Sequence, residues 1–152
     1  MRLTFHSDYG LRLLMLLALE PERLHTIEEV SKRYGISRSH LMKVAMTLTQ
    51  TGFVESVRGR GGGLRLAKPA ESIVLGAVVR ATEDSLGIVE CFDRNTNTCV
   101  VAPACRLKGV LNDAMSAFMD VLDQRTLADL VKVPANNRRM RQLLPYTIVV
   151  EE

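Results

Sequence analysis

No apolar run in this chain approaches the roughly 18 residues that a membrane-spanning helix needs. The opening MRLTFHSDYG also lacks the basic-then-apolar layout of a secretory leader. These two absences predict a cytoplasmic protein without a membrane partner. Cysteine is scarce, with three residues in all. An odd count without a leader argues against a disulfide scaffold, because the cytosol keeps thiols reduced and free to bind metal or sense oxidants. A nucleophile-base pair, a paired acidic motif and a cofactor fingerprint are missing too, so no enzyme is expected. The glycine-rich RGRGGG does not fill that gap, since it lacks the Gly-Lys-Ser/Thr and the strand-loop-helix setting of a phosphate loop.

What is present fits one domain, or one small domain with an appendage. The 152 residues are 47% hydrophobic, enough for one compact core. Charge is unevenly spread: residues 1–70 carry 11 Lys+Arg against 6 Asp+Glu, whereas residues 71–152 carry 9 against 11. The first part is therefore the expected partner for a polyanion.

Its patterning predicts mainly helix with one small β-hairpin. SDYGLRLLMLLALE starts on Ser7, a good N-cap, and is apolar nearly all round, which predicts burial and leaves room for contact with a second subunit. Thr26 and Glu29 form a capping-box pattern before a short helix that Gly35 stops. Ser37 caps the next helix, where Leu41, Val44, Ala45 and Leu48 mark the core face and Gly52 closes the run. Two short helices about a glycine turn read as helix-turn-helix. Arg38, Ser39, His40 and Lys43 are then expected on the outward face near the second helix's start, where recognition helices reach the major groove. For His40 a simple solvated position is the alternative. FVESV and LRLAK, joined through RGRGGG, form a hairpin and hence the wing of a winged helix. Its glycines allow close approach and positive φ, and Arg58 and Arg60 supply charge for phosphates or a narrow minor groove.

Residues 73–83 predict a further helix packing Val74, Val78 and Ala81. Pro103 is placed to start a long helix in which Leu107, Leu111, Ala114, Phe118 and Val121 recur at heptad-like spacing. That seam predicts a homodimer, with packing inside one subunit as the alternative. Thr126 caps a final turn, and residues 133–152 show no usable periodicity. The expected organisation is a winged helix-turn-helix domain over 1–83, a cysteine loop over 84–105, a dimerisation helix and final turn over 106–132, and a tail over 133–152.

All the cysteines lie in that loop: Cys91, Cys99 and Cys105, with seven and five residues between them. This is neither the close CxxC of most structural zinc sites nor a thioredoxin-like pair. The intervening NTNT and VVAPA predict a flexible loop able to wrap something larger than one ion, as thiolate-held iron-sulfur clusters require. Cys105 is expected in the first turn of the long helix, where the dipole favours thiolate. Zinc loading, or a bare thiol switch, is the alternative on the same fold.

SDYGLRLL, GISRSHLMKV, VRGRGGGLRLAKP and the C-x7-C-x5-C run into CRLK together resemble the nitric-oxide-sensing iron-sulfur repressors of the NsrR type. These belong to a larger family of dimeric winged-helix regulators, and the resemblance covers roughly residues 1–132. It implies a homodimeric repressor that leaves palindromic operator DNA of nitric-oxide stress genes when its cluster is nitrosylated. It also implies a ligand set in which the three cysteines of one subunit are completed by an aspartate near the start of the other subunit's first helix, here Asp8. From the residues alone, Asp8 is a dipole-complementing carboxylate in the first helical turn, and His6 competes for the same ligand role. The related regulators of iron-sulfur cluster assembly carry a histidine three residues after the last cysteine. Lys108 stands there, which disfavours that branch. The implied cofactor is a four-iron four-sulfur cluster, with a two-iron two-sulfur form as the alternative.

Overall fold

A computed structural model describes residues 2–145. Its elements run α1 (Phe5–Leu19), α2 (Ile27–Tyr34), α3 (Arg38–Gln50), β1 (Val54–Val57), β2 (Gly63–Leu66), α4 (Leu75–Thr82), α5 (Arg106–Asp123), α6 (Leu127–Leu130) and α7 (Pro134–Leu143). This is the expected mainly helical fold with a two-stranded antiparallel wing.

α1 begins a turn earlier than its sequence indicates. Thr4, not Ser7, is the N-cap, and its Oγ1 accepts the Ser7 amide at 3.3 Å. Ser7 is 0% exposed, and its hydroxyl pairs with Thr82 Oγ1 at 2.8 Å, so a tertiary contact holds it inside the helix. Most of this apolar surface is buried within one subunit: α1 packs on α3, α4, α6 and β2, with Leu13, Leu14, Leu16 and Leu17 in the core, while Leu11, Met15 and Ala18 stay half-buried and Phe5 is 55% exposed.

The helix-turn-helix forms as its caps dictate. Thr26 accepts the Glu29 amide, Gly35 takes φ 65° after α2, and Ser37 accepts the His40 amide. Leu41, Val44, Ala45 and Leu48 are buried. The Glu29 carboxylate does not complete the capping box, because it binds Arg23 and Arg33 instead.

In the wing, Val54 faces Leu66 and Val57 faces Gly63. β2 is pinned to the α1–α2 loop by a two-bond bridge, His25 N–H to Leu64 O at 3.1 Å and Leu64 N–H to His25 O at 2.8 Å. A Cβ on Gly63 would stand 2.9 Å from the His25 carbonyl oxygen, so the close approach requires glycine.

α4 starts two residues later than expected. Ile73 and Val74 are held extended by strand-like bonds to the α5–α6 turn, Leu127 N–H to Ile73 O at 2.8 Å and Leu75 N–H to Arg125 O at 2.9 Å. Pro103 likewise does not open α5: it sits in a 3-10 turn over Ala102–Ala104, and α5 follows Cys105. α5 lies on α4, fastened by the Arg80–Asp123 ion pair with two bonds of 2.6 Å. Of its seam, Leu107 and Val121 are 62% and 61% exposed, Ala114 is exposed, and Leu111 and Phe118 are half-buried. The seam is therefore covered in part by its own subunit and left open at Leu107, Ala114 and Val121. α6 has the reciprocal Thr126–Asp129 capping box.

Within the expected tail, Pro134–Leu143 is helical. Proline at its first position favours the start, but none of its residues is buried, so no apolar period advertises it. Residues 146–152 of that tail lie outside the described residues.

Candidate DNA-reading face and cysteine loop

The outward face of α3 exposes Arg38, Ser39 and Lys43. His40 departs from the outward position expected of it. Its ring meets Tyr9 edge-on at 4.8 Å and stacks toward His6 at 6.2 Å, so it is half-buried against α1. Two residues missed in the sequence share the exposed face: Met42 and Met46. The signal that reveals them is position, since both lie on the side of the helix opposite Leu41, Val44, Ala45 and Leu48. Arg58 and Arg60 are exposed at the wing tip, while Arg65 behind them is paired with Glu55 at 2.8 Å. A helix start and a cationic hairpin tip on one small domain suit a polyanion that has both grooves and phosphates.

The cysteine loop is locally stitched rather than free. Asp93 accepts from the Asn95 amide at 2.8 Å and from the Thr96 hydroxyl at 3.0 Å. Asn97 Oδ1 accepts the Cys99 amide at 3.0 Å, and Thr98 donates to Glu90 at 3.1 Å. The NTNT stretch thus works through side-chain turns, which polar sequence alone reads as flexibility. Cys91 lies in the turn Glu90–Phe92, and Cys105 is the N-cap of α5 rather than a first-turn residue. All three thiols are unpaired and half-buried, and Cys105 makes no side-chain capping bond.

Among the described residues, the set of metal-capable side chains whose ligand atoms fall within 4.8 Å of one another is Glu20, His25 and Glu29, not the cysteines. Its carboxylates are already neutralised. Arg33 reaches Glu20 at 2.6 Å and Glu29 at 2.9 Å, and Arg23 reaches Glu20 at 2.6 Å. Arg33, then Arg23, hold the Glu20 carboxyl down at about 2 by hydrogen bonding. This is an ion-pair network joining the end of α1 to α2. The cysteine loop instead offers three soft donors spaced more widely than one ion demands. That donor set fits a thiolate-ligated cluster.

Asp8 is engaged within its own helix, by Arg12 Nη2 at 2.7 Å and Arg12 Nε at 3.0 Å. His6 is committed elsewhere, with Nε2 at 3.0 Å from Thr47 Oγ1 on α3. Around them the first turn of α1 is clamped to α4. Thr4 donates to Glu83 from its amide at 2.8 Å and its hydroxyl at 3.0 Å. Burial opposes ionisation of Glu83, yet hydrogen bonds from Ser7 and Thr4 hold its carboxyl below the usual range.

Wing, recognition helix and exposed cationic tips define a winged-helix, DNA-binding transcription regulator with a cysteine-bearing insert. The family model described as Rrf2, iron-dependent transcriptional regulator, matches residues 3–133, and the chain belongs to this family. It is 54% identical over 133 residues to the HTH-type transcriptional regulator NsrR of Bacillus subtilis, covering 87% of this chain and 91% of that one. It is 50% identical over 147 residues to the NsrR of Shouchella clausii, covering 96% and 97%. Among solved structures it is similar to T. potens IscR, with 28% identity, a TM-score of 0.69 and 87% of each chain covered. The chain is a DNA-binding regulator of the repressor type.

Proposed function

We propose that the chain is a homodimeric repressor that senses nitric oxide through an iron-sulfur cluster held by Cys91, Cys99 and Cys105, with Asp8 of the opposite subunit as fourth ligand. The observation that carries this reading is three unpaired thiols on one stitched loop, immediately after the winged helix. The NsrR relatives and the exposed seam of α5 support it. A four-iron four-sulfur cluster is favoured over a two-iron form, and it supplies thiolate-bound iron with which nitric oxide reacts. Lys108 is three residues beyond Cys105, where the assembly-regulator branch has its histidine. In this organisation residues 1–83 bind DNA, 84–105 hold the cofactor, 106–132 form the dimer seam, and 133–152 are appended.

The residues of α1 give the signal a route. Asp8 must leave Arg12 to serve as a ligand, and any shift of its turn is felt on two sides. Ser7 and Thr4 tie that turn to Thr82 and Glu83, while His6 and Tyr9 tie it to Thr47 and His40 on α3. Recognition helices of a two-fold dimer match a palindrome only when about one DNA turn, roughly 34 Å or a multiple, separates them. Arg38, Ser39, His40 and Lys43 from α3, with Arg58 and Arg60 from the wing, form the operator-binding set. Within it, His40 acts chiefly as the joint to α1.

Anaerobic purification of wild type and Asp8→Ala tests the reading, with visible absorption and with iron, sulfide and zinc measured per chain. About four irons and four sulfides per chain, destabilised in Asp8→Ala, are expected for the favoured cluster. Zinc, or no metal, in fresh anaerobic protein contradicts it and transfers the sensing role to metal or thiol chemistry.

A further inference from the structure

Among the described residues the exposed large apolar side chains fall into groups, of which Leu130, Val133 and Leu143 lie on α6, α7 and the link between them. Val100, Val101, Leu107, Val110 and Val121 lie on the cysteine loop and α5, next to the proposed cofactor and dimer seam. Phe5 stacks on Tyr9 at 5.6 Å, and the Arg2 guanidinium lies over the Phe5 ring at 5.4 Å. Met42 and Met46 fit neither account. They are 59% and 57% exposed, four residues apart on α3, and therefore one above the other on the same face.

Their surroundings identify the occupant. Ser39, Met42, Lys43 and Met46 alternate along the face opposite the core, Arg38 stands at its start, and Arg58 and Arg60 extend the positive charge onto the wing. An apolar pair inside a cationic, helix-borne rim matches the major groove of duplex DNA, where phosphates flank base edges. One base there presents an apolar group, the C5-methyl of thymine. Lysine, arginine and serine read donors and acceptors but gain nothing from a methyl. Methionine is unbranched and polarizable and adapts to such a contact without a fixed rotamer.

We propose that Met42 and Met46 are specificity-determining residues that read thymine methyl groups in the operator. The proposal rests on α3 being the DNA-reading helix. It assigns discrimination of A·T from other pairs to the apolar part of that helix, and orientation on the backbone to its charges. One methyl contact corresponds to about a fourfold change in affinity.

The test uses full-length, anaerobically prepared protein and a duplex enriched from a random pool by wild type. Binding is titrated by fluorescence anisotropy on the thymine duplex and on the same duplex with deoxyuridine in place of thymine, for wild type and for Met42→Ala/Met46→Ala. Wild type should bind the deoxyuridine duplex at least about fourfold more weakly. The double variant should be weakened on the thymine duplex by a similar factor, with unchanged melting temperature, and should be indifferent to the base replacement. A variant that still discriminates thymine from deoxyuridine as wild type does, or that binds the thymine duplex equally tightly, overturns the proposal. So does a changed oligomeric state in the variant, which would assign the pair to a protein contact. If wild type binds no duplex in a salt-sensitive way, the assignment of α3 as the reading helix fails as well; indifference to the methyls by a protein that binds DNA defeats the methionine proposal alone.

Discussion

Replacing Arg33 with methionine should remove a buried electrostatic tie whose loss is pH-dependent in a defined direction. The Arg33 side chain is 3% exposed and bridges Glu20 at the end of α1 to Glu29 in the first turn of α2. Breaking a buried pair by deleting one partner costs about 3–5 kcal/mol, and the low end applies because Arg23 still contacts both carboxylates. A loss of about 3 kcal/mol lowers the melting temperature of a chain this size by about 6–12 °C. The Glu20 carboxyl is held at about 2, below its ordinary 4.5, first by the Arg33 hydrogen bond. For Glu29, burial opposes ionisation but hydrogen bonds from Arg23 and Arg33 outweigh it, so its carboxyl is lowered too. A depressed carboxylate contributes stability that is complete above its unfolded value and is lost as pH falls through the folded value. Wild type therefore loses this contribution between about 4.5 and 2, whereas Arg33→Met, with Glu20 returned toward 4.5, has less of it to lose. The difference between the two proteins should be widest near neutral pH and narrow toward about pH 3. Thermal melts of metal-free protein across that range check this. A gap that stays constant with pH, or no gap at neutral pH, would refute the reasoning.

Gly63→Ala should force β2 away from the α1–α2 loop, because the new Cβ meets His25 backbone atoms at 2.9–3.1 Å. Losing the two bridge bonds costs about 1–3 kcal/mol, visible as a lower melting temperature together with weaker DNA binding. Arg60→Ala should weaken all duplexes alike and flatten the dependence of log affinity on log salt by about one unit; a change of sequence preference instead would make Arg60 a base reader. Leu107→Glu with Val121→Glu places charge on the exposed seam of α5 and should give a monomer by light scattering; an intact dimer would move the subunit interface elsewhere.

Legibility in the sequence followed the range of the forces involved. Thr26, Gly35 and Ser37 act within a few residues of themselves, and the helix-turn-helix could be read from them. The wing was equally readable, since its glycines and short alternating strands are local signals. Thr4 and Ser7 are both capping types, and a contact with Thr82, 75 residues away from Ser7, decides between them. Ile73 and Val74 read as helix, but a bridge to residues 126 and 127 holds them extended. α7 buries nothing and so leaves no apolar period. At the candidate site the outward set on α3 was found by helical spacing, yet the inward turn of His40 depends on rings from α1. The cysteines stood out by crowding alone. Their stitching by Asp93, Asn97 and Thr98 is chemistry that a polar loop conceals until its backbone is in place.

The most direct test of the central claim is the operator affinity of one anaerobic preparation in three states: cluster-loaded, treated with nitric oxide, and freed of metal. If the cysteine loop governs DNA binding through α1 and α3, the loaded protein binds on the order of a hundredfold more tightly than the other two, a coupling of about 3 kcal/mol. Equal affinity in all three states would contradict the account.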